Sequence, residues 1–155
     1  MTYEQAEIDG AVEAVNDRLA DRLSGLTDHE WAWQPIPGAD EVTLRWRLDH
    51  IVDAVAGERN WAWLGAEAGS APAIAPADSA ATAVANVAAA CAAFLALVRD
   101  EAIDLDAAIG PVGGPHSEEP RRALVLHTLD EFTHHAAEAA LIRDLYAGRQ
   151  PSRNE

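Results

Sequence analysis

The spacing of the apolar residues restricts this chain more than any other feature. In four stretches they recur every three or four positions, and nowhere do they alternate as a half-buried strand requires. Ile8, Val12, Val15, Leu19, Leu23 and Leu26 mark one helix from Thr2 to Leu26, with Thr2 and Gln5 placed to form a capping box. After a short helical turn and the breakers Pro35, Pro37 and Gly38, a second helix is expected over about 43–65, with Leu44, Leu48, Ile51 and Val55 as its stripe. A third, over about 79–100, carries Val84, Val87, Cys91, Phe94 and Val98. IGPVGGPHS reads as a loop, and Ser117 with Pro120 opens a fourth helix ending at Gly148. Helical stripes without strands bury themselves only against one another, so the fold expected is an all-α four-helix bundle. One domain over 1–150, with a short polar tail at 151–155, accounts for the 155 residues. The long connections leave the helix order open.

Composition removes several classes of function. All 11 basic residues are arginine, which excludes a Schiff-base or phosphate-loop lysine. A formal charge of -15 argues against a phosphate-backbone partner, because nucleic-acid binding rests on cationic patches. MTYEQAEIDG has no apolar core of the kind a signal peptide carries, and the apolar run AVANVAAACAAFLALV is short, Ala-rich and broken by Asn86. No membrane span is expected, and the lone Cys91, on the third apolar stripe, suits core packing in a reducing cytoplasm. The five serines lie in loops or at helix ends, without a nucleophile elbow.

The fourth helix carries unusual chemistry. HTLDEFTHH, residues 127–135, places three histidines and two acids within nine positions. With ~100° per residue, Glu131 falls on the lane of Leu124 and Ile142, near Leu145 and Tyr146. His135 lies beside it, His127 and Glu138 flank the pair, and His134 sits at the boundary with the polar side. A carboxylate and an imidazole on a buried stripe are costly unless they are paired or hold an ion. Positions four apart bring Cβ atoms to ~5–6 Å, close enough to grip one ion. His127 and His135 are separated by a rise of ~12 Å, so any ligand pair on this helix includes Glu131. His50, on a lane with Ala54, Gly57 and Trp61, offers a third ligand from the second helix. Two histidines and one glutamate would leave positions open, as catalytic zinc sites do. The same spacing also fits a Glu131–His135 ion pair with no metal.

Around this set, Glu138 is placed to orient His135 or to act as a base, and otherwise reaches solvent. His127 is a proton carrier or a packing residue. Trp46 and Trp61 share the side of His50 and are expected to wall a substrate pocket, with Arg47 beside them facing an anionic group or solvent. His134 belongs to the surface, while His29 and His116 sit in loops and carry no signal. Glu131-x-x-His134 matches half of a di-iron motif whose second copy is missing.

LTDHEWAWQPIPGADEVTLRWRLDHIVDAV and HTLDEFTHHAAEAALIRDLYAG resemble the two halves of the DinB/YfiT-like metal-binding four-helix bundles. The resemblance covers nearly the whole chain. It implies that His50 is the first metal ligand and that Glu131 and His135 are the pair before the closing Arg-Asp-Leu-x-x-Gly. Glu131, where many members have histidine, is similar to the branch of the mycothiol-dependent maleylpyruvate isomerase N-terminal domain. The implied cofactor is one divalent ion, zinc or nickel first, with a low-molecular-weight thiol as cosubstrate. The expected activity is a thiol-dependent transferase or isomerase acting on a small electrophile. Its rivals are a metal-dependent hydrolase and a non-catalytic, ligand-binding or dimerising bundle. A homodimer is the expected assembly.

Overall fold

The computed structural model describes residues 3–149, with side chains from residue 6 onward. The expected Thr2–Gln5 capping box and the tail at 151–155 lie outside that range. Six helices follow in order: α1 (Tyr3–Leu23), α2 (Asp28–Trp31), α3 (Leu44–Ala56), α4 (Glu58–Trp63), α5 (Ala80–Arg99) and α6 (Arg121–Gly148). Short 3-10 segments occupy Asp40–Val42 and Pro111–His116. Among the described residues there is no strand, only an isolated bridge between Ala108 and Pro120.

The four long helices close one core. α3 packs on α5 and α6, and α1 packs on the same two. The order around the bundle is therefore α1, α5, α3, α6, which differs from the order along the chain. The steps from α1 to α3 and from α5 to α6 cross the bundle, and this explains why their connections are long. Leu19, Leu48, Ile51, Val55, Phe94, Val98, Val125 and Phe132 fill the centre, each at most 2% exposed. α5 is long and apolar enough to span a membrane by those measures, yet Val87, Cys91, Phe94 and Val98 bury its stripe against α1 and α3. The caps are local and specific. Thr27 and Glu30 form a capping box on α2, Ser79 caps α5, and Thr43 Oγ1 accepts the Trp46 amide at 3.1 Å to start α3.

Three expectations change. The second helix is not continuous: at Gly57 the backbone turns extended (φ -67°, ψ 140°), ending α3 and starting α4. A Cβ at Gly57 would lie 2.4 Å from the Asp53 carbonyl oxygen, so the kink needs a glycine. The Ile109–Ser117 loop contains a 3-10 segment, and Pro120, not Ser117, stands at the N-cap of α6. The buried stripe of α6 runs through Leu124, Val125, Thr128, Phe132, His135, Ala139 and Ile142. It is centred on Thr128 and His135, with Glu131 at its edge and Leu145 half exposed. Val125 and Phe132, both buried, turn the stripe this way and displace Glu131 from its centre.

Candidate metal centre

α3 and α6 lie side by side, and their facing lanes bring His50, Glu131 and His135 together. One donor atom from each falls within 4.8 Å of the others. The Oε2 of Glu131 stands 3.4 Å from His135 Nε2 and 3.9 Å from His50 Nε2. These separations are informative. A nitrogen–oxygen hydrogen bond spans ~2.7–3.2 Å, so neither contact is one. Donors ~2.1 Å from a tetrahedral ion stand about 3.4 Å apart, which is close to what is found. The donor chemistry, two imidazoles and one carboxylate, fits a divalent cation such as zinc or nickel.

The ring of His135 is set by its other nitrogen. Nδ1 pairs with Glu138 Oε2 at 2.7 Å, and Arg47 Nη1 stands 3.3 Å from the same nitrogen. Facing an ionised carboxylate, Nδ1 carries the proton, which leaves the lone pair on Nε2 toward Glu131 and His50. His135 is the most buried of the three donor residues, with 9% of its side chain exposed against 34% for His50 and 37% for Glu131. Burial opposes ionisation of Glu138, but the hydrogen bond from His135 and the charges of Arg47, His134 and His135 together hold it below the usual carboxylate range. Arg47 Nε lies 3.1 Å from Glu138 Oε2 without a hydrogen bond directed at it, so that attraction is one of charge. His134 Nε2 reaches Glu138 Oε1 at 3.2 Å, giving a second His–Glu grouping around the same carboxylate. There the contacts are at hydrogen-bond length and an arginine is adjacent, which leaves no place for a cation.

His50 is held below the ordinary histidine range, first by burial and then by His135, while Glu131 and Asp53 pull the other way. A neutral imidazole is the form that binds metal.

The centre opens onto a cavity of about 490 Å³ between α3, α4 and α6. His50, Ala54, Glu131 and His127 stand in its wall, as do Asp53, Arg59, Asn60, Trp63, His116 and Glu119. Trp61 is absent from that wall. The kink at Gly57 turns it into the core, where its Nε1 bonds the Val55 carbonyl at 3.3 Å, and Trp63 stands at the cavity instead. Trp46 and Arg47 are not in the wall either. Trp46 stacks on His50, with ring centroids 4.6 Å apart, and Arg47 lies over Trp46.

Five cavity residues were not singled out by sequence, Asp53, Arg59, Asn60, Trp63 and Glu119, and His116, expected to be a loop residue without a role, stands with them in the wall. Asp53 alone carried a usable signal, three positions after His50 on one helix. The α4 residues depend on a kink that a helical wheel does not anticipate. His116 and Glu119, paired at 2.8 Å, arrive through the irregular segment before α6.

Fold and site together define an all-α bundle with a His–Glu–His donor set held between two of its long helices. The chain belongs to the DinB superfamily, whose family model matches residues 11–139, a stretch containing all three donors and Glu138. No curated protein and no solved structure matches it.

Proposed function

We propose that this protein is a metal-dependent enzyme in which a small thiol is activated at His50, Glu131 and His135 and attacks an electrophile held in the adjoining cavity. The observation that carries the reading is the juxtaposition of the donor set with that cavity. Two of the three ligand residues are part of its wall, so the open side of the site faces a space large enough for a small molecule. When bound, a divalent ion with three protein ligands supplies Lewis acidity at an open coordination position, enough to ionise a thiol near neutral pH.

The surrounding residues have separable tasks. Glu138 orients His135 through Nδ1 and is committed to that bond, which supports a positioning role over that of a base. His127, one turn before Glu131 and in the cavity wall, is the group best placed to accept or return a proton there. Arg59 and the His116–Glu119 pair, also in the wall, offer polar contacts for orienting the electrophile.

The experiment is spectroscopic. Cobalt-loaded protein is titrated with a small thiol such as dithiothreitol or cysteine. A sulfur-to-metal charge-transfer band is expected with the wild type and not with His135→Ala. Electrophiles, including epoxides and unsaturated acids, are then screened with thiol present and absent. Turnover of an ester or amide without thiol, inhibited by adding it, would replace this reading with hydrolysis. Bound cobalt with no response to either class would leave a binding protein.

A further inference from the structure

Trp46 touches both histidines of the donor set. Its indole lies nearly parallel to the His50 ring, with centroids 4.6 Å apart and a 14° tilt. The same indole meets His135 edge-on, at 6.1 Å and 77°. The two imidazoles are themselves perpendicular, 4.5 Å apart at 90°. Arg47, the next residue, lies over Trp46 with its guanidinium carbon 4.9 Å from the ring centroid, and stands 3.1 Å from the carboxylate that bonds His135 Nδ1. The backbone start of α3 fixes this arrangement, because Thr43 Oγ1 holds the Trp46 amide.

From this we infer that Trp46 and Arg47 form one clamp that sets the orientation of both imidazoles and leaves the cavity as the open side of the donor set. Trp46 fixes the plane of His50 by stacking and limits rotation of His135 by its edge. Arg47 presses on the indole, stands with Nη1 3.3 Å from His135 Nδ1, and steers the Glu138 carboxylate that decides the nitrogen His135 presents. Neither residue lines the cavity, so both act through the ligands and not on a substrate. They are positioning residues.

The inference rests on the reading of His50, Glu131 and His135 as a metal site, and its test separates the two. Cobalt affinity is measured by chelator competition, with the cobalt d–d spectrum as a second readout, for wild type, Trp46→Phe, Trp46→Ala and Arg47→Gln. Outer partners of metal ligands contribute about 10–100-fold in affinity, so Trp46→Ala and Arg47→Gln are expected to lose about that much. Their d–d bands should weaken as water gains access from the rear and the coordination number rises. Trp46→Phe keeps an aromatic face and should stay within about threefold of wild type. Quenching of tryptophan emission by cobalt should fall in Trp46→Phe although its cobalt stays bound, since Trp46 is the indole stacked on His50. Circular dichroism verifies the fold of each variant, and Trp46→Leu replaces Trp46→Ala if the latter is unfolded. Wild type that takes up no cobalt would overturn the metal reading. Wild-type uptake with unchanged affinity and spectrum in folded Trp46→Ala or Trp46→Leu and in Arg47→Gln would overturn the clamp alone.

Discussion

Substituting Gly57 by alanine tests whether the α3–α4 kink is built into the sequence. Its backbone angles are ordinary, so the cost is steric and not conformational. The new Cβ would lie 2.4 Å from the Asp53 carbonyl oxygen and 3.1 Å from its Oδ1. The first contact is the costly one, because the oxygen belongs to the backbone of α3 and already accepts the Gly57 amide at 2.8 Å. Relief by moving the last turn of α3 costs about 1–3 kcal/mol, the usual range for forced overpacking. Relief by straightening the helix gains ~1 kcal/mol of alanine propensity. It would, however, pull Trp61 and the fully buried Leu64 from the core, at about 1.5–3 kcal/mol for a side chain such as Leu64. Both routes destabilise. At about 2–4 °C per kcal/mol for a chain of this size, the melting midpoint should fall by roughly 2–12 °C. Calorimetry of metal-free protein at neutral pH measures it. A midpoint equal to or above wild type would show that the kink carries no strain against a side chain.

Two further predictions concern titration and reactivity. Burial holds His50 below the ordinary histidine value of 6.5, so the folded metal-free protein binds fewer protons there than the unfolded chain. Stability should therefore be complete above about pH 6.5 and decline as the pH falls below it, levelling once the lower folded value is passed. Urea unfolding across that range should lose this slope in His50→Gln, and a slope unchanged by the substitution would refute the assignment. The depressed Glu138 contributes a second, more acidic window, with stability present above its unfolded value of 4.5 and lost as pH falls through its folded one. Cys91 is 1% exposed, and burial pushes its thiol up to about 12, so a thiol reagent should label it only after unfolding. Rapid labelling of the native protein would contradict that placement.

The long helices were legible because each repeats its apolar residues at one period, and period is what distinguishes a helix from a strand. Leu48, Ile51, Val55, Val87, Phe94 and Val98 are core residues on both grounds. The pairing of Glu131 with His135 was legible for the same reason, as an i, i+4 relation needs no tertiary information. What escaped was set by contacts between elements. The kink at Gly57 follows from how α4 packs, and a wheel drawn through it placed Trp61 beside His50 when it belongs to the core. The tilt of the α6 stripe toward Val125 and Phe132 reflects α3 and α1 on either side, which moves Glu131 from the middle of the buried face to the rim of a cavity. The role of Arg47 changed too. Sequence left it facing an anionic group or solvent, while in the structure it is largely buried and its nearest anion is Glu138. The helix order around the bundle could not be read from loop length alone.

The central claim is that His50, Glu131 and His135 hold one divalent ion. Protein purified without an affinity metal and dialysed against zinc, nickel or cobalt at neutral pH should retain close to one ion per chain by elemental analysis. His135→Ala and Glu131→Ala should each lose that ion under the same dialysis while keeping wild-type circular dichroism. Wild type that retains no ion, or full retention by both folded variants, would contradict the account.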